Sequence, residues 1–442
     1  MVFREDKNKN FKATWLQFKK NKLAYYSYKM LLLLIALAIL SPVIATDLPL
    51  YCKYRGAHLF PAFSISSTYE IIDPETGKKE RIQYDITDWK HMEAERIVFA
   101  PVAYSSAASD YDNINYVGPF DKQLFTTVQG NTIEMPLKFR HWLGTNKAGE
   151  DVLSGLINGT RISLLIGILS MSIASFIGIL LGGLAGYFGD RNLHCTRGAF
   201  WTMILGIVFA FYYGFLIRTY QLSDAFGISN FEAFKQVSFC FLLFSIVVYL
   251  FFLLGKITGR LPSLNKQVHI PIDAIVSRLI EILISMPLLI LIISISAIAK
   301  EKSIANVMII IGLTSWTGIA RLTRAEFLRV SQLDYIQSAK ALGIKELRII
   351  FKHVLPNAIA PALIAVAFGI ASAILTESIL SFIGIGIPAN LVTWGSLLNS
   401  GREQFSAWWL VTFPGLAIFI TVTVYNLLGE GLRDALDPKL RK

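Results

Sequence analysis

Residues 331–356 read SQLDYIQSAKALGIKELRIIFKHVLP, a polar and basic stretch set between two long apolar runs. Ser331 and Asp334 have S-x-x-D spacing, so a capping box predicts a helix start here. Leu333, Ile336, Ala339, the stem of Lys340 and Leu342 recur at helical spacing, and Gly343 is expected to end that helix. A second amphipathic run follows, with Ile344, Leu347, Ile350 and Phe351 on one face, and Pro356 is expected to stop it. A helix of about ten residues is marginal alone, so two short helices with apolar faces call for something to pack against. Pattern alone leaves two readings open: a docking surface for a partner, or an amphipathic loop resting on lipid headgroups.

The flanking chain makes this stretch a loop between membrane spans. Of 442 residues, 54% are hydrophobic and 17% charged, against about 25% charged in soluble domains. Apolar runs approaching or exceeding the roughly 20 residues a span needs occur at 30–46, 160–188, 199–217, 237–255, 272–298, 304–327, 358–382 and 408–429. Eight spans put both termini on one side. Arg4, Lys7, Lys9, Lys12, Lys19, Lys20, Lys22 and Lys29 oppose only Glu5 and Asp6 in the N-terminal lead, which places that side in the cytoplasm. The basic 329–356 loop faces the same way. These loops account for the net charge of +11, so no nucleic-acid partner is expected. Met30–Ala45 has a basic lead-in but no clear A-x-A site after it, and reads as an uncleaved first span.

The domain plan is a cytoplasmic lead at 1–29, a first span at 30–46, an external segment at 47–156, a transmembrane domain at 157–433 and a cytoplasmic tail at 434–442. Over 47–151 acids outnumber bases fifteen to eleven, which suits an external position, and Asp73-Pro74-Glu75-Thr76-Gly77 signals a turn. The two apolar runs inside 191–271 have basic outer flanks (Arg191 and Arg197; Lys256, Arg260 and Lys266) and form a hairpin expected to pack on the outside of the bundle. The loop that holds the opening stretch spans 329–357.

Several smaller features carry expectations. Residues 141–154 read as a turn-rich rim leading into an N-capped helix with an acid near the positive end of its dipole. Gly182, Gly183, Gly186 and Gly189 permit close helix approach in lipid, or mark a glycine-rich helix exit. Glu377 lies within or at the edge of a span, where acids are costly and point to function; pairing with a helix cap is the alternative. Glu281, Arg278, Arg321 and Arg324 lie near span ends, where snorkelling or a loop position accounts for them. The sequence carries no G-x-x-x-x-G-K-[ST], H-E-x-x-H, CxxC or G-x-S-x-G. No catalytic centre, metal site or disulfide is expected.

The quoted stretch resembles the cytoplasmic coupling loop of ABC importer permeases, whose pattern is E-A-A, then Gly, then hydrophobic-x-Leu-Pro. Here Gln337, Ser338 and Ala339 stand at the first three positions, followed by Gly343, Leu355 and Pro356; the first two depart from the pattern. The run from His141 to Leu164 is similar to the HLLGTDxxGRDVLSRLIxGxRISL stretch of the C-type permease of the dipeptide/oligopeptide group, with Glu150 in place of Arg. Glu377 to Gly384 is similar to its E-x-x-LSF-L-G. The resemblance covers about 140–190 and 272–438. It implies an all-α integral membrane protein with a six-span type-I ABC importer core, here enlarged to eight spans by the hairpin and carrying an external segment after span one. It also implies a non-enzymatic permease in a bacterial cytoplasmic membrane, working with a second permease, two ATPase subunits and an external substrate-binding protein. ATP would be used by the partners, with no cofactor on this chain. Asp334, Gln337, Ser338, Ala339, Leu342, Gly343, Leu347, Leu355 and Pro356 would couple to the ATPases, with Ala339 and Gly343 allowing close approach. Glu377 is the candidate for the translocation pathway. A secondary transporter, using Glu377 at the midplane, and a membrane-anchored receptor that binds ligand through 47–156 are the alternatives.

Overall fold

The computed structural model describes residues 14–64, 68–72, 79–127, 129–190, 193–228, 230–298, 303–386, 388 and 391–437. The Asp73–Gly77 turn, Arg191, the basic residues before position 14 and the last five residues lie outside them.

The first span is α1 (Lys22–Ile44). It begins eight residues before the apolar run because the Asn21 side chain accepts from the Ala24 amide at 3.2 Å and caps it. The polar segment that follows is built from short strands: β1 (Tyr51–Tyr54), β2 (Ala57–Leu59), β3 (Thr68–Ile72), β4 (Lys79–Gln83), β5 (Arg96–Val98), β6 (Leu124–Thr126) and β7 (Thr132–Glu134). They form a three-stranded sheet, β2-β1-β5, and two ribbons, β3-β4 and β6-β7, all antiparallel. Cys52, Leu59, Ile82, Tyr84 and Trp89 make its small core.

α2 (Val152–Phe188) is the axis of the bundle. Its 37 residues span about 55 Å, well beyond the ~30 Å hydrocarbon core, and it starts eight residues ahead of the expected span. Beyond it, β8 (His194–Thr196) and β9 (Gln267–His269) pair as a ribbon that carries α3 (Arg197–Phe211), α4 (Thr219–Ile228) and α5 (Asn230–Thr258). The hairpin does not lie against the bundle as expected. Among the described residues α3, α4 and α5 pack on one another and on the ribbon, with no more than marginal contact elsewhere. An apolar face turned to lipid and one turned to protein give the same sequence signal, so periodicity could not separate the two cases.

The expected span at 272–298 is broken. α6 (Ile272–Ser285) and α7 (Leu288–Ile298) meet at a bend of 88°. Pro287 lacks the amide a continuous helix needs and pushes Met286 into extended geometry, with ψ 130°. α8 (Ile304–Ser331) follows and packs along α2. Next come α9 (Asp334–Ala341), α10 (Glu346–Ile349), a π-helical turn at Ile350–Val354 and α11 (Leu355–Ala358). The chain ends with α12 (Ala360–Phe382), α13 (Trp394–Gly401) and α14 (Trp409–Leu436). Among the described residues seven helices are long and apolar enough to cross a membrane, and the bent α6–α7 pair makes eight.

Glycine sets the α2–α8 contact. A Cβ on Gly182 would stand 2.4 Å from the Ala320 carbonyl oxygen, and one on Gly186 2.3 Å from that of Arg324. The close-approach reading holds at these two positions, while Gly189, at φ +59°, is the helix exit. Asn21 Nδ2 donates to Asp434 at 3.1 Å and Asn158 Nδ2 donates to the Ala45 carbonyl at 3.3 Å. Both described ends of the chain therefore sit on the side of the bundle where α2 ends, and the polar segment sits where α2 begins.

Candidate functional site

The segment from α9 to α11 seats on the ends of α2 and α8. Ile336, Ala339, Ile349, Val354 and Ala358 are buried against Tyr187, Phe327 and Val330. The Tyr187 hydroxyl donates to Glu346, and the Lys340 ammonium stands 4.6 Å from the centre of the Tyr187 ring. The opposite face leaves three large apolar side chains uncovered among exposed Lys345, Arg348 and Lys352: Leu342 is 80% exposed, Leu347 68% and Phe351 66%.

Three local expectations are corrected. Ser331 and Asp334 form no capping box; Ser331 closes α8, its hydroxyl donating to the Leu328 carbonyl, and α9 starts without a side-chain cap. Pro356 does not stop the second run, which stays helical from Glu346 through the π turn at Ile350–Val354 and on to Ala358. Ile344, Leu347, Ile350 and Phe351 do not share one face: Ile344 and Ile350 are half-buried on the inner cluster, whereas Leu347 and Phe351 are exposed. The π turn fits one more residue into the helix, so Ile349 and Val354, five apart, point inward while Leu347 and Phe351 point out.

Of the expected coupling residues, Asp334, Gln337, Ser338, Leu342, Gly343, Leu347 and Pro356 are exposed and Leu355 is half-buried on the inner cluster. Gln337 does not hang free: its amide donates to the Ser331 carbonyl at 2.8 Å. Ala339 faces inward and offers no approach to a partner. Gly343 does end the helix, at φ +71°, and a Cβ there would meet nothing within 4 Å. Its role within this chain is the left-handed turn, and its outer side is open.

Glu377 is fully enclosed at 0% exposure. Ser381 Oγ donates to its Oε1 at 2.7 Å, Ser378 lies at 3.4 Å, and Ser163 of α2 stands nearby. So does Thr393, the cap of α13, whose reciprocal bonds with Ser396 complete a capping box. The carboxyl joins α2, α12 and α13 of its own chain and presents no surface to a pathway here.

Residues 252–442 match the family described as binding-protein-dependent transport system inner membrane component, and residues 10–54 match the N-terminal TM domain of oligopeptide transport permease C. The dipeptide transport system permease protein DppC of Bacillus subtilis is 28% identical over 329 residues, covering 74% of this chain and 78% of the relative. The inner membrane ABC transporter permease protein YejE of Escherichia coli is 26% identical over 96% of both chains. The di/tripeptide transport system permease protein DppC of Pseudomonas aeruginosa is 31% identical over 68% of this chain and 73% of the relative. The chain belongs to this permease family. It is a multi-pass membrane subunit of an ATP-driven importer, and family membership supplies a partner permease, an ATPase and a substrate-binding protein.

The permease has a buried ionic cluster at the other end of α2. His141, at 0% exposure, sets Nδ1 2.8 Å from Asp151 Oδ2 and Nε2 3.0 Å from Asp110 Oδ2. A carboxylate on each nitrogen favours the cationic imidazole, in which both ring nitrogens donate. Burial alone would lower its pKa, but the bonds to Asp110 and Asp151 outweigh it and raise the value. Asp151 is also the cap of α2, its Oδ1 accepting from the Ser154 amide at 2.6 Å. The Lys90 ammonium lies 3.4 Å from the centre of the Tyr104 ring, and burial lowers its pKa to about 8. The capping acid was legible in the sequence. His141 and Asp110 lie 31 positions apart with no periodic link, and no local pattern joins them.

Proposed function

We propose that this permease imports short peptides, with the outer face of α9–α11 as its contact with two cytoplasmic ATPase subunits. Relatives named for dipeptide and di/tripeptide transport support the substrate class. The observation that carries the coupling reading is the two-faced segment: one face is locked onto α2 and α8, and the other leaves Leu342, Leu347 and Phe351 bare. Exposed apolar patches of this kind mark contact surfaces. ATP binding can bias the spans only through contacts that differ between states, and the locked inner face would carry that bias into α2.

In this reading ATP is bound and cleaved by the partners, and this chain brings no catalytic group or cofactor. The described ends of the chain and the α9–α11 segment share one side, and the basic loops support reading that side as the cytoplasm of a bacterial inner membrane. The polar segment then faces outward, toward the binding protein. Glu377 acts as an internal tie.

The test is uptake by the intact transporter in proteoliposomes. Labelled di- and tripeptides should enter only when ATP is supplied on the α9–α11 side and binding protein on the other. Uptake driven by a proton gradient without ATP would overturn the assignment.

A further inference from the structure

A cavity of about 1310 Å³ opens between the α6–α7 elbow, α8, α12 and the end of α14. Its walls are mostly apolar, and among the described lining residues the charged groups are two arginines, Arg321 and Arg433, with no acid. Three arginines of neighbouring membrane helices are neutralised within the chain. Arg278 pairs with Glu281 at 2.6 Å, Arg324 donates to Asp273 at 2.7 Å and Arg329 pairs with Glu326 at 2.7 Å. Arg321 and Arg433 have no such partner among the described residues, and snorkelling alone does not explain why both open into one cavity. Beside Arg321 on the same face of α8 are Thr317 and Gly318, and a Cβ on Gly318 would meet nothing within 4 Å. Arg321 is one turn from Arg324, whose backbone abuts Gly186 near the end of α2. The cationic end of the cavity thus lies toward the α9–α11 side.

We propose that this cavity is a stretch of the solute pathway that recognises a free carboxylate, with the Arg321 and Arg433 guanidiniums as the recognising groups. The inference rests on the peptide reading and deepens it. A guanidinium presents a planar fork of donors that fits a carboxylate with two parallel bonds, and a mostly apolar wall strengthens such a bond. The volume exceeds the roughly 300–1,000 Å³ typical of a small-molecule pocket and has room for a short peptide. Every linear peptide with an unmodified end carries a carboxylate, whatever its side chains, so this site selects for the class and leaves the sequence free.

The experiment uses the intact transporter in phosphatidylcholine vesicles, with a labelled dipeptide and its C-terminal amide, each read as variant over wild type so that selection by the binding protein cancels. Arg321→Gln should lower free-acid uptake about tenfold, the loss expected of one charge-assisted contact, and leave amide uptake near wild type. Arg321→Lys should recover part of the free-acid uptake. Equal losses for both forms, with assembly and ATPase activity intact, would overturn the proposal in favour of pairing with the partner permease. An effect seen only in vesicles containing phosphatidylglycerol would overturn it in favour of a lipid headgroup. Wild-type uptake of neither form overturns the peptide reading itself, whereas wild-type uptake with no difference between variants overturns this inference alone.

Discussion

The hydroxyl of Tyr187, in the last turn of α2, donates to the carboxylate of Glu346, in the first turn of α10. The bond ties α2 to the segment proposed to meet the ATPase. Tyr187→Phe keeps the ring under Lys340 and removes only the bond. The expected cost is about 1 kcal/mol, read as a lower melting temperature of the solubilised chain. The transporter should also cleave more ATP per solute moved, and an unchanged ratio would show that the bond is not part of the coupling.

Gly343 and Leu347 separate fold from coupling. Gly343→Asp places a side chain where this chain has nothing within 4 Å, and the left-handed turn costs about 1 kcal/mol. Leu347→Asp removes an exposed apolar group and should cost under about 0.5 kcal/mol. Both variants should insert at near-normal levels, yet ATP hydrolysis should no longer drive uptake. Normal transport by both would remove this face from the coupling surface.

The glycines of the bundle divide sharply. Gly182→Val drives its Cβ into the Ala320 carbonyl and should destabilise by about 3 kcal/mol or prevent accumulation. Gly318→Ala enters open space on a helix and should be neutral or stabilising by up to about 1 kcal/mol. Thermal melts of the two variants in one detergent give the comparison.

Glu377 is a test of internal polarity. Glu377→Gln keeps an acceptor for Ser381 and should be tolerated. Glu377→Leu strands the hydroxyl of Ser381 and should cost about 2 kcal/mol. If Glu377→Gln folds normally but abolishes transport, the carboxylate has a role beyond joining α2, α12 and α13.

The cluster at the start of α2 predicts a pH signature of two opposite slopes. His141 has its pKa raised above the ordinary 6.5, so its contribution is complete below that value and is lost as pH climbs through the raised one. Lys90 runs the other way. The unfolded side chain holds its proton up to 10.5 while the folded one releases it at about 8, so folding gains stability over that window. Melting followed by tryptophan fluorescence should show a decline as pH rises above 6.5 that disappears in His141→Gln. An alkaline recovery should disappear in Lys90→Met.

Much of the bundle could be read from composition, because a run of apolar residues long enough to span announces itself whatever it packs against. Asp151 was equally legible, since a cap acts on amides two or three residues ahead. The break at Pro287 was present in the sequence but hidden inside a run of sufficient length. The inner face of α9–α11 was obscured for a different reason: a π turn shifts the register, so Ile349 and Val354 align only once the turn is known. The His141–Asp110 pair and the Arg321–Arg433 cavity depend on elements far apart in the chain, where no spacing rule reaches.

The single helix α2 carries a capped, ion-paired junction at its first residue and a hydrogen-bonded junction at its last full turn. Such a strut leaves little freedom for its two ends to respond separately. If the delivery protein docks at the first junction and the motor at the proposed second, the factor by which either changes the other's affinity is the same in both directions. Nucleotide should therefore tune how tightly the delivery protein is held as strongly as that protein tunes nucleotide binding.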